Sequence, residues 1–256
     1  MQYSQRLRRC QPSLDKKVDA SEPPRRFDWL WPAVCILCGQ RSRRAVDLCA
    51  RCEADLILNE PACARCALPL PHADTSNVLC SACLRRPPHF HAAYAPFRYA
   101  YPIDRLVQRA KYQRDAPSGR VLGELLAARL RRRPSETLPQ LLIPTPLSAR
   151  RFRERGFNQA FEIALPIHAA IGVPLRPDLV ERRRHTAEQS GLGRAERRRN
   201  LRGAFALLAP PPATHVVLVD DVITTASTAN ELTKVLLRAG VRKVEVWAVA
   251  RTVGRG

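Results

Sequence analysis

Eight of the nine cysteines fall into four C-x-x-C pairs: Cys35 with Cys38, Cys49 with Cys52, Cys63 with Cys66, and Cys80 with Cys83. No other feature restricts the fold so tightly. A two-residue gap lets both thiolates of a pair face one ion while backbone amides turn inward, and two pairs complete a tetrahedral all-sulfur site suited to zinc. Eight ligands make two such sites. Sequential grouping, Cys35/Cys38/Cys49/Cys52 and Cys63/Cys66/Cys80/Cys83, is favoured, but an interleaved cross-brace would use the same residues. Either way the coordination is full, so the two zinc ions are expected to supply folding energy rather than chemistry. An iron–sulfur cluster also takes four thiolates but in differently spaced runs, and a redox dithiol needs one pair on an α/β scaffold, not four pairs. Cys10 stands alone in an Arg-rich stretch as an incidental thiol. His72, His89 and His91 lie near the second set as solvent-facing or second-sphere groups.

This much cysteine without an apolar secretory core in residues 1–26 points to a reducing, cytoplasmic setting, where thiols hold metal rather than form disulfides. The absence of any run of about 18 apolar residues argues against membrane insertion. The 43 Lys and Arg against 23 Asp and Glu leave a formal charge of +20, more than solubility requires, which suggests an anionic partner. Nucleic acid and phosphate-rich small ligands both satisfy that, and so would a compositional bias toward Arg.

After the cysteines the apolar pattern alternates between helical and strand periods. Helices are expected over 97–111, 119–133, 157–171 (disturbed by Pro166) and 227–239. Short apolar strands are expected at 141–143, ended by Pro144, and at 204–208, 216–219 and 244–249. Such alternation indicates a mostly parallel sheet covered on both faces, with ligands beyond the strand C-termini. The expected domains are a flexible polar leader at 1–33, a double zinc ribbon at 34–88 and the α/β domain at 89–256.

The ligand rule points first to 217–231, VLVDDVITTASTANE. Asp220 and Asp221 emerge where the 216–219 strand ends, and Thr224, Thr225, Ala226, Ser227 and Thr228 open the next helix. Free amides, hydroxyls and the positive helix end make a cup for a monoester phosphate. Two carboxylates beside it are better used on sugar hydroxyls or on Mg²⁺-bound water than on the phosphate, so a phosphorylated ribose suits both halves. The plainer alternative is that Ser227 caps the helix and the threonines shape a turn. No Gly-Lys-Ser/Thr supports a Walker loop, and no glycine triplet supports a dinucleotide crevice.

A second wall is expected at 144–159. There Pro144 and Pro146 stiffen a loop in which Arg150, Arg151, Arg153 and Arg155 offer forks for a diphosphate, with Asn158 or Gln159 orienting the ligand or capping the next helix. Lys111 is either a further anion contact or a helix-surface residue. Arg194, Arg197, Arg198, Arg199 and Arg202, in a polar stretch over 185–203, suit a hood that closes on diphosphate or a track for a nucleic-acid backbone.

Four segments in this order resemble the ComF family, competence-associated proteins of the phosphoribosyltransferase superfamily, over about 34–251. Besides the C-x-x-C pairs they are AKYQRD (110–115), IPTPLSARRFRERGFNQA (143–160), TAEQSGLGRAERRRNLRGAF (186–205) and the 217–231 segment. The resemblance implies a type I phosphoribosyltransferase-like sheet behind the double zinc ribbon. It also implies that Asp220 and Asp221 face the ribose hydroxyls of phosphoribosyl diphosphate, that Thr224–Thr228 wrap its 5′-phosphate, and that the chain contributes to natural transformation. Partners would then be phosphoribosyl diphosphate with Mg²⁺, single-stranded DNA and other competence proteins. Two functions follow as expectations: phosphoribosyl transfer to a nitrogenous acceptor, or non-catalytic single-strand binding with a retained sugar-phosphate site. One departure stands out. Family loops usually carry glycine where this chain has Ala226, which matters only if that position is left-handed.

Overall fold

A computed structural model describes residues 34–42, 44, 46–71, 78–133, 138–183, 201 and 203–253. Two compact units divide the chain, one reaching Asp55 and the other running from Leu56 to the end.

The first unit holds one ribbon. Its knuckle is closed by Gly39 N–H donating to the Cys35 carbonyl (2.9 Å) and Cys35 N–H to the Gln40 carbonyl (2.8 Å). Gly39 takes the left-handed conformation that the tight turn demands (φ 73°). Short helix α1 (Ala50–Ala54) follows, with Cys49 at its N-cap.

The second unit begins with a repeat of the same device. Ala67 N–H donates to the Cys63 carbonyl and Cys63 N–H to the Leu68 carbonyl, both at 2.8 Å, and α2 (Ser81–Arg85) follows. Ala67 occupies the place of Gly39, also left-handed (φ 54°). All four cysteines of this ribbon are buried in a core that includes Leu141, Ile143, Val216 and Leu218, so the second ribbon groups in space with the α/β portion.

That portion runs β1 (Ala92–Tyr94), β2 (Phe97–Arg98), α3 (Ile103–Tyr112), α4 (Ala116–Arg131), β3 (Leu141–Pro144), α5 (Ala149–Arg155), α6 (Gln159–Ile171), β4 (Val180–Arg182), β5 (Phe205–Leu207), β6 (His215–Ile223), α7 (Ser227–Arg238) and β7 (Lys243–Arg251). The main sheet has the order β1-β7-β6-β3, with β2 also on β7, and every pair is parallel. Side chains alternate across it. Ile143, Val216, Leu218, Val244 and Val246 face the second ribbon and α7, while α4 and α6 cover the opposite face. A Cβ at Gly123 of α4 would lie 2.4 Å from the Ile163 carbonyl oxygen of α6, so these helices cross backbone to backbone.

A double zinc ribbon followed along the chain by a mostly parallel α/β sheet is thus the fold. Several local expectations change. The helix expected from 97 starts at Ile103, because Phe97–Arg98 add to the sheet edge as β2. The Arg-rich stretch before Gly156 is a helix rather than a loop: Ser148 accepts from Arg151 N–H, and left-handed Gly156 ends it. The following helix begins at Gln159 and runs through Pro166. The 204–208 strand joins β4 in a separate antiparallel pair instead of the parallel sheet. β6 and β7 are each longer than expected, nine residues apiece, so Asp220 and Asp221 lie within the strand and not past its end. No helix among the described residues is long and apolar enough to cross a membrane.

Candidate functional site

The cysteines gather sequentially, Cys35/Cys38/Cys49/Cys52 and Cys63/Cys66/Cys80/Cys83, with all sulfurs of a set within 4.8 Å of one another. Cys38 and Cys49 sulfurs are 3.7 Å apart, as are those of Cys66 and Cys80. A tetrahedron with zinc–sulfur bonds of about 2.3 Å has edges of about 3.8 Å, so each set fits one zinc and the cross-brace is ruled out. Burial works against the Cys35 and Cys63 thiolates, yet backbone amides, among them Cys80 N–H on Cys63 (3.2 Å), outweigh it and hold these thiols down at about 6 and about 7. These are closed structural centres.

The second grouping lies at the C-terminal edge of the parallel sheet. Asp220 Oδ1 accepts from Asp221 N–H (2.9 Å) and Asp221 Oδ1 from Val222 N–H (2.7 Å). Burial pushes the Asp220 carboxyl up to about 7; the neighbouring Asp221 charge adds to the rise and Lys111 opposes it. From Ile223 the chain turns through Thr224 and Thr225 into α7. The N-cap position is Ala226, left-handed at φ 58° and ψ 13°, so the glycine-like geometry is adopted with a methyl in place. An alanine side chain has no acceptor to offer the first-turn amides. Ser227 is not the cap; its hydroxyl lies 2.9 Å from that of Thr225.

Lys111, at the end of α3, places Nζ 2.7 Å from Asp221 Oδ2. A residue 110 positions away in sequence therefore joins the acidic pair. The 144–159 segment enters beside it: Pro144 pairs with Val219, and Thr145 N–H donates to the Val219 carbonyl (2.9 Å), one residue before Asp220. Arg150 is exposed and pairs with Glu154 (2.7 Å), and Arg151 is half-buried on the same helix. Arg155 turns inward, 9% exposed, and donates to Gln159 Oε1 (2.9 Å). Gln159 Nε2 in turn donates to the carbonyl of Ala110, the residue before Lys111 (3.0 Å). Asn158 caps α6 and donates to the Thr145 carbonyl (3.1 Å). Arg194, Arg197, Arg198, Arg199 and Arg202 lie outside the described residues, as do Cys10 and His72.

Sequence reasoning missed Arg251. It ends β7, is 4% exposed, and sends its guanidinium to the Ile223 and Thr224 carbonyls (2.9 and 2.5 Å) at the turn before α7. The available signal was a cation closing the apolar run that ends the strand, WAVAR.

The family described as double zinc ribbon domain matches residues 26–84. The DNA utilization protein YhgH of Escherichia coli K12 is 34% identical over 228 residues, covering 87% of this chain and 98% of that protein. Competence protein F of Haemophilus influenzae is 35% identical over 210 residues, covering 80% and 90%. Among solved structures, a purine phosphoribosyltransferase from Pyrococcus horikoshii aligns over 51% of this chain and 80% of that one, at 15% identity and a TM-score of 0.30, a likeness too distant to assign chemistry. Near-complete coverage of both sequence relatives, together with the paired ribbons, makes this chain a member of the ComF/YhgH family of competence-associated proteins.

Proposed function

We propose that the chain binds phosphoribosyl diphosphate or a close sugar phosphate at the C-terminal edge of its sheet. The observation that carries this is the convergence of the Asp220–Asp221 pair, Lys111 and the left-handed turn opening α7. Amides and hydroxyls of Thr224–Thr228 take the 5′-phosphate at the helix N-terminus. Asp220 and Asp221 accept from the ribose hydroxyls, which share the site with the Lys111 ammonium. The diphosphate lies toward Pro144–Arg151, with Arg150 and Arg151 as donors and Mg²⁺ bound to the diphosphate oxygens. Arg155 supports this wall from behind through Gln159. Transfer to a nitrogenous acceptor would need no protein nucleophile: the C1′–O bond to diphosphate breaks as the acceptor nitrogen bonds to C1′, and the site supplies orientation and charge. Asp221→Asn tests the assignment. Calorimetric affinity for phosphoribosyl diphosphate should fall about tenfold or more, matching the loss of a charge-assisted hydrogen bond, and an unchanged affinity would reject it.

The names of the relatives, DNA utilization protein and competence protein, favour a second reading in which the same chain tracks single-stranded DNA. Arg194, Arg197, Arg198, Arg199 and Arg202 would meet backbone phosphates. Replacing Arg197, Arg198 and Arg202 by Ala should then reduce the slope of log affinity against log salt by about 2, at about 0.7 per phosphate contact. A native chain with no salt-dependent anisotropy change on a labelled single strand ends that reading.

A further inference from the structure

The Arg251 guanidinium joins two sites that are far apart in sequence. Its Nε donates to the Cys66 carbonyl (3.1 Å), and its Nη1 donates to the carbonyls of Ile223 (2.9 Å), Thr224 and Thr252 (3.1 Å). Cys66 belongs to the second four-cysteine set; Ile223 and Thr224 begin the cup. A second link runs parallel: His89 N–H, just past the ribbon, donates to Asn230 Oδ1 in the first turns of α7 (2.7 Å). The contacts have a directional consequence. In a trans peptide the N–H points opposite to the carbonyl, so carbonyls of Ile223 and Thr224 drawn toward Arg251 turn the amides of Thr224 and Thr225 away from it, in a turn where Thr224 is exposed. A buried cation tolerates no loss of acceptors. Ligation of the Cys66 Sγ by zinc restrains its Cα and the peptide that follows, and with it the carbonyl that accepts from Nε.

We propose that Arg251 is a positioning residue through which filling the second zinc site and filling the phosphate cup favour one another. The coupling rests on the phosphate-cup reading above. Zinc in the Cys63/Cys66/Cys80/Cys83 set holds the Cys66 carbonyl, the carbonyl holds the guanidinium, and the guanidinium holds the Thr224 and Thr225 amides outward. By linkage the effect is reciprocal: a ligand in the cup must tighten zinc at the second set by the same factor that zinc tightens the ligand. The first set lies in the other unit, and the proposal concerns the second set alone.

Full-length Cys49→Ser, which retains the second set as its one intact site, isolates the effect. Its zinc affinity is measured by chelator competition with and without saturating phosphoribosyl diphosphate, with calorimetry to verify that the ligand is bound. The expected result is zinc binding about fivefold tighter or more with ligand, within the usual range of coupling between sites. Equal zinc affinities with ligand bound would overturn the proposal. Adding Arg251→Lys, which keeps the charge but loses the planar fork, should bring the factor below about twofold while the chain still holds zinc; a retained factor would overturn Arg251 as the route. Where Arg251→Lys fails to fold, the Cys49→Ser comparison decides alone. If calorimetry detects no ligand, the phosphate-cup reading fails separately. Amide exchange across 223–228 then tests the tie: faster exchange on removal of the second zinc upholds it, and unchanged exchange overturns it.

Discussion

Ala226→Gly should stabilise the chain. At φ 58° and ψ 13° the Ala226 Cβ crowds the following carbonyl, a cost of about 1–2 kcal/mol that glycine does not bear. Glycine also gives the unfolded chain more freedom, which takes back about 0.4–1 kcal/mol. The net gain is about 0.5–1 kcal/mol, or roughly 1–4 °C in Tm for a unit of this size, read by thermal unfolding with zinc saturated. Binding separates two forms of the strain. Where the turn stays left-handed with and without ligand, the strain is equal in both states and phosphoribosyl diphosphate affinity is unchanged. Where the free loop relaxes and must be bent back to receive the phosphate, glycine tightens binding by up to about fivefold, the equivalent of about 1 kcal/mol. Ala226→Val, β-branched at the same angles, should lower Tm. A lower Tm for Ala226→Gly, or a neutral result alongside a neutral Ala226→Val, would refute the strain.

Elemental analysis should find two zinc per chain and one in Cys49→Ser, and a native value near zero with the fold intact would remove the metal account. Gly123→Ala should cost about 2–3 kcal/mol by urea denaturation, since its Cβ would meet the Ile163 carbonyl at 2.4 Å; a neutral variant would mean that α4 and α6 can separate. Asp220, raised to about 7, keeps its proton in the folded chain after the unfolded chain has lost it. Its contribution to folded stability therefore falls as pH rises from about 4 to about 7, and Asp220→Asn should gain relative to the native chain between pH 5 and 8. An equal difference at the two pH values would show that the carboxyl is not enclosed.

The two cysteine sets and the strand-to-helix turn after Asp221 could be read from the sequence because their signals are local. Cysteine spacing fixes which thiolates can share an ion, and an apolar run followed by Asp220, Asp221 and clustered hydroxyls signals a strand-to-helix turn. Long-range juxtaposition could not be read. Lys111 meets Asp221 only because α3 ends beside β6, and Arg251 meets Cys66 only because the second ribbon packs into the sheet core. Helix α5 was hidden for another reason. Its residues ARRFRER carry almost no apolar stripe, so Ser148 and Gly156, a cap and a left-handed stop, define it more than periodicity does. The length of β6 was set by its partner: β7 continues the ladder through Ala250 and Arg251, which draws both aspartates into the strand.

The most direct test of the proposed sugar-phosphate site is to follow backbone amides by NMR while zinc-loaded protein is titrated with phosphoribosyl diphosphate and Mg²⁺. Saturable shifts should appear first at Thr224, Thr225, Ala226, Ser227 and Thr228, then at Asp220 and Asp221, and inorganic phosphate alone should move the first group and spare the second. No saturable shift in these residues at millimolar ligand, or shifts centred elsewhere on the chain, would contradict the assignment of the site.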